Sequence, residues 1–184
     1  MSQKSEIVYF DQPGQQNTDE LFAVVGARLK EGDVKHVAVA TTSGRTALRA
    51  AELIGSSGVQ IAAIAFQSEY WPQYGKPDEA IVAKAERLGV RFIPEQPKAA
   101  YWHEVSGESA DTLRKFGQGI KVALEVILMA VETGLVPAGA KAIGVGGSSR
   151  GADAAVVATA AGPDNIGAFF VHEILAKPID KAKS

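Results

Sequence analysis

The chain has 184 residues, 46% of them hydrophobic and 22% charged, which is the composition of a globular domain with a buried core. Its net charge of −2 gives no electrostatic reason to expect nucleic acid or an acidic membrane surface as a partner. It contains no cysteine, which excludes disulfides, thiolate metal sites and cysteine nucleophiles and agrees with a reducing cytoplasm.

The N-terminal residues do not have the pattern of a signal peptide, because the short run that follows Met1 already ends in Asp11. The longest apolar stretch, residues 122–131, contains Glu125 and is shorter than the roughly 20 residues that span a bilayer. We therefore expect a cytoplasmic protein without a membrane partner.

Seven apolar runs predict strands, and the segments between them predict helices. The predicted strands comprise residues 7–10, 36–40, 59–66, 90–93, 141–145, 154–160 and 169–177. Apolar residues at helical spacing predict helices over about 17–31, 44–54, 77–88 and 109–134, the last with a break near residues 117–119. The second half of this last region is apolar on nearly every side, as expected of a central buried helix.

Three helix starts carry capping signals. Asn17, with Glu20 three residues later, predicts the start of the first helix. Ser43 is an N-cap candidate for the second helix. Pro77 is placed as the first residue of the third.

Strands that alternate with helices predict a three-layer α/β fold with a mostly parallel sheet. No repeat or linker-like segment interrupts the chain, so residues 1–184 are expected to form a single domain. Sheets of this kind bind ligands beyond the carboxyl ends of the strands, where the strand order reverses.

Two Gly-rich turns, each directly after a predicted strand, are the candidates for such a site. The first is Thr41-Thr42-Ser43-Gly44-Arg45-Thr46, and the second is Gly144-Val145-Gly146-Gly147-Ser148-Ser149-Arg150-Gly151. Each combines small residues, hydroxyls and one arginine, which is a set suited to binding a phosphate through backbone N–H groups, hydroxyls and a guanidinium. We expect the two turns to meet at one anion site.

Each turn also has a simpler interpretation. The first is alternatively an ordinary connection from a strand to a capped helix. The second begins like a dinucleotide fingerprint, but Ser149 occupies the third glycine position and an apolar strand follows in place of a helix. Asp153 either orients Arg150 through a bidentate pair or simply begins the next strand.

Lys121 and Glu125 lie one turn apart in the most apolar helix. Because an unpaired carboxylate there would be costly, a partner is expected. The two residues either form an internal ion pair or contact a ligand in the cleft as a general acid or base. They are the only candidates for catalytic residues, and whether the protein is an enzyme stays open.

The aromatic and histidine side chains give weaker signals. Tyr70, Trp71 and Tyr74 either stack on a flat ring or pack within the loop or against a partner. His36, His103 and His172 have no mutual metal-ligand spacing, so no metal is expected.

The first turn resembles the effector-phosphate loop of the pyruvate kinase C-terminal domain, whose pattern is Thr-x-Ser-Gly-Arg-Ser/Thr-Ala. Over nearly its whole length the chain resembles a stand-alone prokaryotic family built on that domain. The matching segments are Asn17-Thr18, Thr42-Ser43-Gly44-Arg45-Thr46-Ala47, Gly119-Ile120-Lys121-Val122, Glu125 and Gly146-Gly147-Ser148-Ser149-Arg150-Gly151-Ala152-Asp153.

The resemblance implies a mixed five-stranded sheet of order 3-2-1-4-5 with the last strand antiparallel, and it places the two turns on neighbouring strands. It also implies flavin mononucleotide (FMN) as the ligand and a homodimer or higher homo-oligomer. Kinase activity is not expected, because the chain has no counterpart of the catalytic barrel. The implied cofactor-binding residues are Asn17, Thr18, Thr41, Thr42, Ser43, Gly44, Arg45, Thr46, Gly146, Gly147, Ser148, Ser149 and Arg150.

Three functions follow from these expectations. The first is binding of a phosphorylated small molecule in a regulatory or carrier role. The second is an enzyme that uses the same cleft, either a flavin-dependent oxidoreductase or one that acts on a phosphorylated metabolite. The third is an oligomerisation module.

Overall fold

A computed structural model describes residues 4–95 and 107–181. Its strands are β1 (Val8–Phe10), β2 (His36–Ala40), β3 (Gln60–Ile64), β4 (Arg91–Ile93), β5 (Lys141–Gly146), β6 (Ala154–Thr159) and β7 (Phe170–Pro178). Its α-helices are α1 (Thr18–Leu29), α2 (Arg45–Ile54), the single turn α3 (Trp71–Tyr74), α4 (Glu79–Arg87), α5 (Gly107–Arg114) and α6 (Gln118–Glu132). Short 3₁₀ helices lie at Gln15–Asn17, Gly55–Ser57, Ser68–Tyr70 and Pro163–Ala168.

The strands form one mixed sheet of order β1-β7-β6-β5-β2-β3-β4. β2 pairs in parallel with β3 and β5, β3 pairs in parallel with β4, and β1 pairs in parallel with β7. Of the described strands only β6 runs the other way, antiparallel to both β5 and β7. The remaining strands therefore end at the same edge of the sheet, which we call the carboxyl edge.

The sequence prediction of an α/β fold is confirmed, but the five-stranded sheet implied by the resemblance is wrong in strand count and full order. Five of the strands follow one another as β4-β3-β2-β5-β6, and the sheet then continues through β7 and β1. The physical reason is that β6 is buried almost throughout, so the N–H and C=O groups on its outer side need a strand partner, which β7 supplies.

Helices cover both faces of the sheet, and alternate residues of β2 show the division. Val37 and Val39 pack with α1, α2 and α4 on one face, whereas Ala38 packs with α6 on the other. This alternation follows from the opposite directions of successive side chains in a strand. None of the described helices is long and apolar enough to span a bilayer.

α6 lies unusually close to β5 because two glycines face it. A Cβ atom on Gly144 would overlap the carbonyl of Ala123, and one on Gly146 would overlap the carbonyl of Gly119. Any larger residue would push the helix away from the strand. The break predicted near residues 117–119 is confirmed, since α6 begins directly after Gly117.

The predicted start of α1 at Asn17 is confirmed, but the structure corrects all three capping predictions in their detail. The side chain of Asn17 makes no capping hydrogen bond to α1. The residue directly before α2 is Gly44 and not Ser43, so no side chain caps that helix. At α4 the cap is Asp78, whose carboxylate accepts from the backbone N–H groups of Ala80 and Ile81, so Pro77 lies outside the helix. Asn17 instead uses its amide to hold the preceding turn.

Arg28 joins α1 to β7 away from the carboxyl edge. It is only 8% exposed, and its guanidinium donates to Asp33 (2.7 Å) and to both carboxylate oxygens of Glu173 (3.0 Å each from Nε). Lys141 Nζ lies 2.7 Å from the other Asp33 oxygen. These two cations hold the pKa of Asp33 well below its usual range.

Arg28→Met is expected to lower the free energy of unfolding by about 1–3 kcal/mol, because it removes a buried guanidinium that bonds the partly exposed carboxylates of Asp33 and Glu173. Arg49 is the matched control, since it also bonds two carboxylates, Asp19 and Glu52, but its side chain is 39% exposed. Arg49→Met should cost much less. Urea unfolding of the two variants measures the difference, and equal losses would contradict the role given to burial.

Candidate functional site

The two predicted turns leave the sheet at neighbouring positions. β2 and β5 pair in parallel with Val39 opposite Val145, so Thr41 and Gly147 follow at the carboxyl edge about one strand spacing, roughly 4.8 Å, apart. The structure thus brings together the segments that the sequence predicted to meet. The site they form is built from the ends of two adjacent parallel strands.

Three helices begin at this edge. α2 starts directly after the first turn. Thr18, the first residue of α1, is hydrogen-bonded to Ala152, and Gly119 in the first turn of α6 lies against Asp153 and Gly147. The positive ends of three helix dipoles therefore point toward the same region, which favours an anion there.

The first turn is fixed in shape by its contacts with α4. Gly44 has φ +88°, a left-handed conformation that favours glycine, and a Cβ on it would lie 3.0 Å from the side chain of Val82. The carbonyl of Ser43 accepts from the backbone N–H of Asp78 at 3.2 Å. These contacts close the α4 side of the turn to a ligand.

Thr41 is the polar group of this turn that the fold leaves unsatisfied. The residue is only 7% exposed, and its Oγ1 has no hydrogen-bond partner among the residues that the structure describes. Its backbone N–H donates to the carbonyl of Ile64, which fixes the residue at the end of β2. A buried hydroxyl without a partner costs about 1–3 kcal/mol, so its presence here calls for an external partner.

The other predicted residues of the first turn are partly accessible. Thr42 and Ser43 are half-buried, Thr46 is buried and Arg45 is exposed. Ser43 Oγ accepts only a long hydrogen bond, 3.5 Å, from the N–H of Arg45. These hydroxyls are available to a ligand with little rearrangement of the turn.

The second turn is organised around the carboxylate of Asp153. Asp153 is fully buried and accepts from the backbone N–H of Gly14 (2.9 Å), from the backbone N–H of Ser148 (3.1 and 3.2 Å) and from Ser148 Oγ (3.2 Å). Of the two alternatives for Asp153, the bidentate pair with Arg150 is not formed, and the residue directly precedes β6. Arg150 is exposed, and its backbone N–H donates to Ser149 Oγ.

Burial raises the pKa of Asp153 above its ordinary value of 3.8, against the opposing effect of the donors from Ser148 and Gly14. The ionised carboxylate is therefore held at a cost in free energy. Sequence reasoning missed both its position and the participation of Gly14. Two features of the sequence could have indicated this contact: a lone carboxylate at the start of a buried strand, and the Pro13-Gly14 turn before α1.

Asn17 and Thr18 lie beside the second turn, as predicted, but their polar groups serve the fold. Thr18 Oγ1 accepts from the N–H of Ala152 at 3.0 Å and donates to its carbonyl at 3.4 Å. The amide of Asn17 donates to the carbonyl of Gln12 at 2.7 Å. Gly151 permits this junction, because a Cβ there would lie 2.6 Å from the backbone of Gln15.

Lys121 and Glu125 form the internal ion pair that the sequence offered as one alternative. Lys121 Nζ lies 2.5 Å from Glu125 Oε2, and both side chains are 8% exposed. The pair sits on α6, whose first turn packs against the second Gly-rich turn. A role in ligand chemistry stays a prediction.

The aromatic and histidine candidates make local contacts. The indole N–H of Trp71 donates to the carbonyl of Phe66, while the side chains of Tyr70 and Tyr74 and the whole of His103 lie outside what the structure describes. His172 Nε2 contacts Thr159 Oγ1 at 2.7 Å. His36 is half-buried at the start of β2, where burial lowers its pKa.

A comparison with models of known protein families finds no match for this chain.

The raised pKa of Asp153 has a testable sign. The neutral carboxyl is favoured in the folded state, so its contribution to stability is fully present below the unfolded pKa and is lost as the pH rises through the folded pKa. The free energy of unfolding of the wild type, minus that of Asp153→Asn, should therefore fall as the pH rises from about 3.8. Urea unfolding across this pH range measures the difference.

Asp33→Asn supplies a control of opposite sign. The pKa of Asp33 is lowered by Arg28 and Lys141, so the stability it contributes is present above its unfolded pKa and is lost as the pH falls. The same difference should therefore rise with pH for Asp33→Asn. A rise with pH for Asp153→Asn as well would mean that the donors outweigh burial at Asp153.

Proposed function

We propose that this protein binds a phosphorylated small molecule at the carboxyl edge of β2 and β5, with the phosphate at the N-terminus of α2. The observation that carries the proposal is the buried, unpartnered hydroxyl of Thr41 among the described residues, next to that helix start. A helix N-terminus alone is a common feature of folds. An orphaned hydroxyl beside it indicates that an external acceptor or donor completes the site.

The chemistry of the first turn favours phosphate over other anions. Thr41, Thr42, Ser43 and Thr46 offer hydroxyls around the backbone N–H groups that open α2, and phosphate has enough oxygens to accept from several of them. Arg45 and Arg150 are exposed at the two turns and can approach the ligand from solvent. Because β5 is the neighbour of β2 in the sheet, the organic part of the ligand would extend across the second turn.

The proposed ligand is FMN, and the proposed role is regulatory or carrier. This rests on the resemblance to stand-alone proteins built on the pyruvate kinase C-terminal domain. The succession β4-β3-β2-β5-β6, with β6 antiparallel, supports that relationship. FMN fits the site in having a single terminal phosphate on a flexible chain. Pyruvate kinase activity forms no part of the proposal.

Ser43→Asp is expected to weaken FMN binding at least tenfold, because it places a carboxylate where the phosphate would bind. Ser56→Asp is the matched control, since it adds the same charge at an exposed position just after α2, at the opposite end of the helix. Quenching of FMN fluorescence on titration with protein measures both affinities. Thr41→Val should also weaken binding, because it removes the orphaned hydroxyl while keeping the shape of the side chain.

Two results would contradict the proposal. If neither FMN nor inorganic phosphate binds or raises the melting temperature of the wild type, the site is not a phosphate site. If FMN binds but Ser43→Asp and Thr41→Val leave its affinity unchanged, the ligand lies elsewhere.

The buried Lys121–Glu125 pair favours a second candidate function, an enzyme in the same cleft. Buried ion pairs close to a ligand site are in some proteins functional, although structural pairs are common. An FMN-loaded protein that reduces a dye with NADH would support this alternative if Glu125→Gln abolishes turnover with FMN still bound. Full turnover in Glu125→Gln would assign the pair to structure alone.

A further inference from the structure

We infer that Asp153 restricts the proposed site to ligands with a single phosphate group, an inference that rests on the proposed function. The two turns look alike in sequence, and both were expected to hold phosphate. In the structure they differ in one respect: the second turn already contains an anion of its own.

The donors of the second turn are taken up by this internal carboxylate. The N–H and Oγ of Ser148 and the N–H of Gly14 all bond to Asp153, at 2.9 to 3.2 Å. A phosphate at this turn would have to compete with a fixed carboxylate for the same groups. The backbone N–H of Arg150 is likewise occupied, since it donates to Ser149 Oγ.

The charge of Asp153 adds repulsion to this competition. The residue is fully buried, so its negative charge is poorly screened by solvent, and a second phosphate near Ser148 would lie within a few ångströms of it. The carboxylate also has no room to withdraw. Its Oδ1 lies 2.5 Å from the position that a Cβ of Gly119 would occupy, so α6 closes that side.

The first turn has no equivalent carboxylate bound to its donors. The nearest by hydrogen bonding is Asp78, whose N–H donates to the Ser43 carbonyl. The Asp78 carboxylate is directed to its own helix, where it accepts from Ala80 and Ile81. The site is therefore asymmetric, with one turn open to an anion and the other filled.

Arg150 does not restore a second phosphate site. It is exposed, so its attraction for an anion is screened by water and salt, whereas the repulsion from the buried Asp153 is not. We therefore expect discrimination against ligands that present phosphates to both turns.

Titration of the ¹⁵N-labelled protein with inorganic phosphate tests this inference, because backbone amide shifts report where each phosphate binds. In the wild type we expect a single binding curve with its largest shifts at residues 41–47, and any smaller shifts at the adjacent residues 147–151 should follow the same curve. Asp153→Ala should add a second set of shifts at 147–151, with a dissociation constant within about tenfold of the first, since it frees donors worth about one or two hydrogen bonds to an anion. Asp153→Asn should gain less, because its remaining oxygen still accepts.

Asp33→Asn is the control for loss of a carboxylate in itself, since Asp33 lies in the Arg28 cluster and contacts neither turn through a hydrogen bond. It should leave the wild-type pattern unchanged. The wild-type arm decides the question even if an Asp153 variant fails to fold.

A second, independent binding curve at residues 147–151 in the wild type would overturn the inference and leave the proposed function standing. A single binding curve, largest at residues 41–47, in a folded Asp153→Ala variant would also overturn it, because another feature would then exclude the second phosphate. If phosphate causes no shifts at the first turn and none at the second, the proposed function and this inference are both overturned.

Discussion

The parallel pairing of β2 with β5 is the constraint on which the candidate site depends. The two strands are about a hundred residues apart in the chain, yet their register is fixed by shared hydrogen bonds from His36 opposite Ala142 to Val39 opposite Val145. Because side chains alternate along each strand, a shift of one residue would exchange buried and outward positions. The packing of α1 and α2 on one face and α6 on the other therefore also sets where the two turns lie relative to each other.

The two turns deal with their polar groups in opposite ways. At the first, a buried hydroxyl on Thr41 is left without a partner among the described residues, and a helix start faces the same space. At the second, Asp153 is buried and saturated with donors, and its raised pKa reflects the cost of holding that charge. The two turns, on neighbouring strands, therefore differ: one has a hydroxyl without a partner and the other has a carboxylate with its partners in place. Sequence composition does not reveal this difference.

Much of the fold could be predicted from the sequence, because strand and helix signals are local. The run at residues 36–40 was predicted with its observed bounds, and the break before α6 was found from Gly117. The prediction of five strands came from the resemblance and was wrong. The residue pattern itself predicts seven strands, including one at residues 169–177. The pattern could not say that this strand would pair with β6, because pairing across the sheet is not a local property.

The site could be predicted only in part for a related reason. Residue types placed hydroxyls and glycines at the carboxyl edge, and the structure brings them together there. Which of them would bond to one another depended on contacts between distant segments, such as Gly14 with Asp153, which are 139 residues apart. Capping failed for local reasons: the amide of Asn17 bonds to Gln12 in the preceding turn, and Gly44 in place of Ser43 directly precedes α2.

Gly144 and Gly146 have no side chains, and this fixes the distance between α6 and β5. Backbone atoms of α6 rest directly on backbone atoms of β5, so no rotamer change can alter the spacing between helix and strand. The turn after β5 and the start of α6 must then move as one rigid unit. Any adjustment to a bound molecule would therefore fall to the exposed side chains of the two turns, such as Arg45 and Arg150.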